Sequence, residues 1–454
     1  MIFVKKTFRY YYWLAVEFVK KHLRIIIISF LLSFILIVSL VSFAPYIQSL
    51  FSGQREIIGM VGDFDYNSLP PEITGKISSG LLYVNEKGEF IPAIASNWEV
   101  LEDGTVYRFN IRDGLLWSDG TRFSASEIDY QFKDISFDII DAKTIQFKLK
   151  KSLPVFPTYL LKPIIKFPLV GVAGLFKVDR IRSNYGIVEQ INLSPNKKEL
   201  PLLVYKFYKS EAQMINAYKQ GEINQMKLNK KSVADVFGNW KNTSVSKTTD
   251  YSKLLTLYFN FKNKLLAEKE VRQAITMAID ESEFSEFGEI AFGPVPPDSW
   301  AYSSSIKPPV FDLDSAQRIL NKAKTASLEA ALNLHTYYDY LNDAELIAAE
   351  LKAAGLQVKL KLVSSRQPSD FDLFLAFWNL PSDPDQYFFW HSTQQQGNLG
   401  AYKNVKIDKL LEDARNTSII DERKRLYLEF QKVIADDSPA VFLYFPYIYS
   451  IKRK

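Results

Sequence analysis

The sequence predicts an α/β protein with two lobes behind a single N-terminal transmembrane helix. A length of 454 residues exceeds one ordinary domain, and 47% hydrophobic with 24% charged side chains is typical of a globular protein with a large core. Apolar residues at helical spacing over 344–351 are followed, after Gly355, by a strand pattern over 358–362, which is a helix-to-strand unit of an α/β lobe. Residues 25–54 contain no charged side chain, so this segment can cross a membrane.

The predicted membrane anchor covers residues 25–50. Its apolar run provides the roughly 20 residues that span a bilayer core, whereas the apolar part of a signal peptide is typically about 7 to 15 residues long. Residues 42–44 (Ser-Phe-Ala) resemble a signal-peptidase site, but Pro45 directly after them disfavours cleavage. We therefore expect an uncleaved helix that contacts the lipid bilayer, and a cleaved signal peptide is the alternative.

Charge asymmetry predicts the orientation of this helix. Residues 1–24 carry six basic side chains and one acidic one, which indicates a cytoplasmic N-terminus and an extracellular or periplasmic location for the bulk of the chain. Removing these from the whole-chain totals of 56 basic and 51 acidic residues leaves 50 of each sign. The basic charge therefore indicates membrane topology and not nucleic-acid binding. The aromatic cluster within residues 8–13 fits an interfacial belt or an amphipathic segment on the inner leaflet, and a disordered stub is the alternative.

Residues 92–128 predict a small β-meander followed by a helix. Side chains alternate between apolar and polar over residues 107–112, and three Asp-Gly pairs supply the turns. Ser124 and Glu127 have the spacing of a capping box, which satisfies free backbone N–H groups at the start of a helix.

The same segment resembles the pattern P-x-L-A-x-S-W-x-x-x-x-D-G-x-x-Y-x-F-x-L-R-x-G-x-x-F-x-D-G of the family 5 extracellular solute-binding proteins. These are the oligopeptide- and dipeptide-binding receptors of ABC importers. Further matches follow in family order: VRQAITMAID (271–280), GPVPPDSW (293–300), FDLDSAQRILNKA (311–323), FDLFLAFWNLPSDPD (371–385) and NLGAYKNVKIDKLLEDA (398–414).

The resemblance implies a two-lobed, periplasmic-binding-protein-like (type II) fold with a ligand cleft between the lobes. The first lobe would comprise residues 56–254 and 440–454, and the second residues 255–439. The apolar strand at 254–261 is the expected first crossover between them. Only residues 132–144 separate the signature segment from the next strand, so we expect the family's extra subdomain to be trimmed.

The sequence contains no recognisable catalytic or metal-binding motif. Its three histidines stand in no zinc or nucleophile-elbow spacing, and its lack of cysteine excludes disulfides, thiol nucleophiles and a lipid-modified cysteine. Residues 63–74 begin like a calcium loop but carry Ser68 and Thr74 where that loop needs glycine and glutamate. We expect neither enzyme activity nor a cofactor or metal, and a cell-envelope hydrolase is the alternative.

The resemblance also implies a set of candidate ligand-binding residues, each of which has a core or structural role as its alternative. They are Gly80, Leu81, Tyr83, Trp117, Asn260, Trp378, Ser382, Asp383, Tyr387, Asn398 and Tyr402. Trp378 and Tyr387 are the preferred aromatic walls, because aromatic rings suit sequence-tolerant stacking. Asp383 belongs to the family's Asp-Pro-Asp hallmark, for which a helix cap or turn is the alternative.

One family feature is missing next to that hallmark. In dipeptide and oligopeptide receptors of this family, an aspartate a few residues before the Asp-Pro pair holds the α-ammonium of the ligand. Residues 379–382 are Asn-Leu-Pro-Ser and offer no carboxylate. This favours longer peptides held through their backbone, or another ligand such as a sugar or a metal chelate.

The function that the resemblance implies is that of a membrane-anchored receptor. We expect it to bind an oligopeptide-like solute and to deliver it to the permease subunits of an ABC importer. An envelope sensor or an assembly scaffold built on the same fold is the alternative.

Overall fold

The computed structural model describes residues 2–51, 55–132, 134–323, 331–364, 367–368 and 370–454. Helix α1 (Ile2–Phe51) is continuous, so the predicted cytoplasmic segment and the predicted anchor are parts of one helix. Its stretch Arg9–Ser39 is long and apolar enough to cross a membrane and is not buried in the protein. At about 1.5 Å per residue the whole helix is about 75 Å long, more than a bilayer core requires. The side chains of residues 40–51, including the alternative cleavage site, lie outside the described part.

The rest of the chain alternates strands and helices. The strands are β1 (Arg55–Val61), β2 (Leu82–Val84), β3 (Phe90–Pro92), β4 (Ala95–Leu101), β5 (Val106–Ile111), β6 (Ser136–Asp141), β7 (Thr144–Lys148), β8 (Ile165–Lys166), β9 (Val170–Gly171), β10 (Phe176–Asn184), β11 (Ile187–Pro195), β12 (Leu202–Tyr208), β13 (Gln225–Leu228), β14 (Thr243–Thr249), β15 (Lys253–Phe259), β16 (Gly288–Ile290), β17 (Leu332–Tyr337), β18 (Val358–Val363), β19 (Leu373–Asn379) and β20 (Ala440–Arg453). The further helices are α2 (Pro71–Ile77), α3 (Glu211–Gln220), α4 (Lys231–Gly238), α5 (Lys264–Ala267), α6 (Lys269–Ala278), α7 (Leu313–Ala323), α8 (Leu341–Ala353), α9 (Tyr387–Trp390), α10 (Val405–Asn416) and α11 (Ile420–Asp437).

One long strand, β20, joins the two lobes within a single 12-stranded sheet. Its first half pairs with β15 and β16, and its second half pairs with β13 and β14. From β13 the sheet continues through β1, β12, β11 and β10, and this side is lobe 1. From β15 it continues through β19, β17 and β18, and this side is lobe 2. The two-lobed α/β fold is as predicted, while the residue boundaries of the lobes stay a prediction.

The sheet of lobe 2 is covered by helices on both faces. Alternate residues of β15 point to opposite sides, so Leu255 and Leu257 belong to one core and Leu254 and Tyr258 to another. The apolar face predicted for α8 packs in the first core together with α6, whereas α10 and α11 pack in the second. Each large apolar side chain buried in this way contributes about 1.5 to 3 kcal/mol.

The meander of lobe 1 is observed, but the helix predicted after it is wrong. Strands β4, β5, β7 and β6 form a separate four-stranded sheet in that order. The capping interaction forms, since the Ser124 N–H donates to the Glu127 carboxylate at 3.0 Å, yet only a single 3₁₀ turn follows at Ala125–Glu127. The chain then becomes extended, which buries Ile128 and Tyr130 in the meander core. Tertiary burial therefore overrides the local helix signal.

Two neighbouring segments connect the lobes. Residues 250–252 lead from β14 to β15, and residues 445–446 lie between the two halves of β20. The Asp250 N–H donates to the Pro446 carbonyl at 2.8 Å, so a backbone hydrogen bond joins the two crossovers. Beside them, Glu289 Oε2 accepts hydrogen bonds from Tyr251 at 2.7 Å and Thr249 at 3.0 Å. This arrangement fixes the crossover segments while leaving each lobe its own core.

Candidate functional site

The lobes meet at the turn between β2 and β3. Gly88 in this turn has φ +80°, and a Cβ atom there would lie 2.5 Å from Cδ1 of Trp300 in lobe 2. A side chain at this position would therefore collide with the opposite lobe, in addition to adopting a left-handed backbone. The structure thus has its lobes in contact at this point.

A second approach between the lobes involves Tyr159, which lies in the 3₁₀ turn Phe156–Leu161 of lobe 1 and is 44% exposed. Burial raises the pKa of its hydroxyl, and the charges of Arg415, Asp385 and Asp383 act on it as well. These three side chains belong to lobe 2, so the tyrosine lies within electrostatic range of the charged surface of that lobe.

That surface consists of two aspartate–arginine pairs. Asp383 receives two hydrogen bonds from Arg423, at 2.7 and 3.1 Å, and both side chains are almost completely buried. Asp385 binds Arg415 in the same bidentate manner, with a shortest distance of 2.6 Å. Burial alone would lower the pKa of Arg423, but the neighbouring Tyr427 and Asp383 raise it above its usual value. The carboxylates of the Asp-Pro-Asp hallmark are thus neutralised by arginines.

Aromatic rings extend this surface. The Arg415 guanidinium lies 3.9 Å above the ring of Tyr387, and that ring stacks on His391 at 4.0 Å. Trp378, at the end of β19, packs edge-on against Phe389 at 4.5 Å and is only partly buried. Its indole Nε1 has no hydrogen-bond partner among the described residues. Trp378 and Tyr387 are therefore both partly buried aromatic residues that pack against the second core of lobe 2.

The candidates in lobe 1 are mostly buried. Leu81 and Trp117 belong to the meander core, and Gly80 lies so close to the carbonyl of Leu160 that a Cβ atom could not be accommodated. Tyr83 is 51% exposed, in the same hairpin as Gly88. Of these candidates, Tyr83 has the most accessible side chain.

Three further candidates use their polar atoms within the protein. The Asn260 amide donates to the Phe371 carbonyl at 2.6 Å, which fixes the end of β15. Asn398 exchanges hydrogen bonds with the backbone of Tyr402 at 2.7 and 2.9 Å, and the Tyr402 hydroxyl donates to Asp437. Ser382 is exposed beside the Asp-Pro-Asp segment. For all eleven candidates, direct contact with a ligand stays a prediction.

The residues that sequence reasoning missed are Tyr159, Trp300, Arg415 and Arg423. Arg423 carried a signal, because its position lies four residues before Tyr427 on the buried face of α11. A charge on a buried face needs a partner, and the Asp-Pro-Asp segment supplies it. Tyr159 gave no such signal, since only the tertiary fold brings it opposite lobe 2.

Most of the chain matches the model of a known protein family. The family model described as bacterial extracellular solute-binding proteins, family 5 middle, matches residues 89–400. The oligopeptide-binding protein AppA of Bacillus subtilis is 25% identical over 86% of this chain and 86% of its own length. The periplasmic murein peptide-binding protein MppA of Escherichia coli is 21% identical over 82% of this chain and 83% of its own length.

Solved structures share the fold. AppA from Bacillus subtilis in complex with a nonapeptide superimposes with a TM-score of 0.69 and 22% identity, covering 89% of this chain and 95% of AppA. NikZ from Campylobacter jejuni in complex with Ni(L-His) gives a TM-score of 0.71 and 23% identity, covering 88% of this chain and 94% of NikZ. The described residues contain no group of three or more His, Asp or Glu side chains that could hold a metal ion directly.

Proposed function

Because the chain belongs to the bacterial extracellular solute-binding proteins of family 5, we propose that it is a membrane-anchored receptor for oligopeptide-like solutes. In this proposal the ligand binds between the lobes, and the closed receptor delivers it to the permease subunits of an ABC importer. The observation that carries the proposal is the approach of the lobes, where Tyr159 lies within electrostatic range of Arg415, Asp385 and Asp383 and Gly88 lies against Trp300.

The chemistry of the lobe 2 surface favours a peptide without a fixed N-terminal anchor. The two hallmark aspartates are each bound by an arginine, so neither carboxylate is left to hold an α-ammonium group. Aromatic rings such as Trp378 and Tyr387 offer stacking surface that tolerates different side chains. A peptide longer than two or three residues, bound through its backbone, fits these features, and the nonapeptide complex of the related AppA is consistent with such a ligand.

Closure around the two crossovers is the proposed mechanism. A ligand stabilises the closed state only if it binds that state more tightly than the open one. A ligand could touch both Tyr159 and Trp378 only when the lobes approach each other. Such a ligand would therefore bind the closed state more tightly than the open state. The hydrogen-bonded crossovers at residues 250–252 and 445–446 would act as the hinge.

Helix α1 is the proposed membrane anchor. It contains an apolar stretch of sufficient length, and its six basic residues before position 25 place the N-terminus in the cytoplasm under the positive-inside rule. The two lobes would then lie on the extracytoplasmic side, where solutes and the outer face of a permease are accessible.

The test is the thermal unfolding of the full chain in detergent, measured with a peptide library, with sugars and with nickel–histidine. A ligand at 100 times its dissociation constant should stabilise the protein by about 2.7 kcal/mol. Stabilisation by peptides alone supports the proposal. Stabilisation by sugars alone or by nickel–histidine alone would mean that the ligand is a sugar or a metal chelate and not a peptide. No stabilisation by any of them would favour a sensor or scaffold.

A further inference from the structure

A small cavity lies inside lobe 2, away from the interlobe surface. Its volume is about 220 Å³, and it is partly open to solvent. It is lined by the end of α6, the turn that follows, residues 307–309, and the junction of α11 with β20. Its lining residues come from positions 276–442, and those of β20 lie in the half that pairs with β15. Tyr159, Trp378 and Tyr387 are not among them. An inference about this cavity therefore does not depend on the proposed peptide site.

The main polar feature of this cavity is Glu281. Its carboxylate oxygen Oε1 is buried and has no hydrogen-bond partner among the described residues. Burial, with a smaller effect of the neighbouring Asp280 charge, raises the Glu281 pKa to about 8. A buried acceptor without a partner costs about 1 to 3 kcal/mol. A donor that entered the cavity would remove this cost.

The walls around this carboxylate combine apolar side chains with the polar residues Thr276, Lys307 and Ser438. Ile434, Val441 and Phe442 are buried, and Pro308 and Pro309 form part of the exposed rim. Such walls do not suit a hydrated metal ion, because calcium and magnesium require about six oxygen ligands. They suit the hydrocarbon part of an organic molecule that carries one positive charge.

The size of the cavity limits this molecule. A cavity of about 150 Å³ accommodates benzene, so a cavity of about 220 Å³ can hold roughly six to nine non-hydrogen atoms. Lys307 is the cation that the chain itself offers at the rim, but it makes no hydrogen bond to Glu281 Oε1. The Lys307 side chain therefore does not occupy the position next to Oε1 of Glu281.

We propose that this cavity binds a small organic ammonium ion, with the carboxylate of Glu281 as its counter-ion and its hydrocarbon part against Phe442 and the two prolines. The ammonium group would donate to Oε1 in a charge-assisted hydrogen bond. The apolar walls would select against hydrated inorganic cations.

The test is calorimetric titration of the full chain in detergent with benzylammonium and with benzyl alcohol, which has the same shape without the charge. Benzylammonium should bind at least about tenfold more tightly, since one such bond to a charged group is worth about 1.5 to 3 kcal/mol. Between pH 6 and 7 its affinity should rise by up to about tenfold, because the proton on Glu281 competes with the ligand.

Two variants and one control complete the experiment. Glu281→Gln should abolish the preference for the ammonium ion, whereas Glu283→Gln, at an exposed position two residues away, should leave it unchanged. Ala435→Leu, at an exposed position on the rim, should weaken binding by narrowing the entrance. Equal binding of the alcohol and the ammonium ion, or no binding of either, would overturn the proposal. So would an unchanged preference in a folded Glu281→Gln variant.

Discussion

Asp250 and Pro446 are joined by a backbone hydrogen bond of 2.8 Å that ties together the two segments connecting the lobes. The two residues are 196 positions apart in the chain, yet they lie side by side because β14 and β15 both pair with β20. In the proposed closure, this bond would keep the crossovers adjacent while the lobes rotate. The lobes can then change their separation without losing the sheet that holds them together.

Contact between Gly88 and Trp300 predicts that a side chain at position 88 hinders closure. Gly88→Ala should weaken ligand binding by about tenfold or more, because the Cβ atom collides with the opposing indole only when the lobes close. Peptide affinity measured by calorimetry checks this expectation.

Gly120→Ala is the matched control for Gly88. Gly120 has nearly the same backbone, with φ +87° against +80°, but nothing lies within 4 Å of its Cβ position. Both variants should lose about 1 kcal/mol of stability through backbone strain. Equal ligand affinities in the two variants would contradict the closure model.

The buried ion pair between Asp383 and Arg423 predicts that Asp383 contributes strongly to the free energy of unfolding. Asp383→Ala should lower the free energy of unfolding by about 3 kcal/mol or more, because it leaves a buried guanidinium without its partner. Asp413→Ala, which breaks the exposed pair with Lys409, should cost less than about 1 kcal/mol. Urea unfolding of the two variants gives the comparison. An equally small loss in both would mean that the hallmark aspartate has no structural role.

Glu281 predicts a specific dependence of stability on pH. Its folded pKa of about 8 lies above the ordinary value of 4.5, so between these values the folded state holds a proton that the unfolded state has lost. Its contribution to stability is therefore complete below about pH 4.5 and decreases as the pH rises towards 8, with a limiting slope of about 1.4 kcal/mol per pH unit. Glu281→Gln should flatten this part of the urea-unfolding profile. A slope that is identical in both proteins would contradict the assignment.

The absence of cysteine makes the proposed topology directly testable. Lys198→Cys, at an exposed position in lobe 1, should react with a membrane-impermeant maleimide in spheroplasts. Lys5→Cys should react only after the membrane is permeabilised, because the basic segment stays in the cytoplasm. Labelling of the two positions in the opposite order would reverse the orientation, and loss of the full chain from the membrane fraction would refute the anchor.

The family and the two-lobed α/β fold could be predicted from sequence because their signals are local. The meander alternation, the apolar face of α8 and the ordered family motifs each occupy a short stretch. The helix after Ser124 was predicted wrongly because burial of Ile128 and Tyr130 in a distant core outweighed a satisfied helix cap. The local sequence pattern does not reveal whether burial elsewhere in the fold outweighs a helix signal.

The candidate site was predictable only in part. Trp378 and Tyr387 are partly buried, and their contact with a ligand stays a prediction. Asp383 was expected either to contact ligand or to act as a helix cap or turn residue, and the sequence did not reveal its pairing with Arg423, which is 40 residues away. Tyr159 could not be identified, since it comes opposite lobe 2 only through the course of the whole chain.

The most direct test of the central claim is the distance between the lobes with and without peptide. Fluorescent labels at Glu86→Cys in the β2–β3 turn and Val405→Cys at the start of α10, both exposed positions, report this distance in the otherwise cysteine-free full chain. A peptide mixture that stabilises the protein should shift the molecules to a single short distance, because the ligand holds the closed state. An unchanged distance distribution in the presence of a stabilising peptide would contradict a receptor that closes its lobes on the ligand.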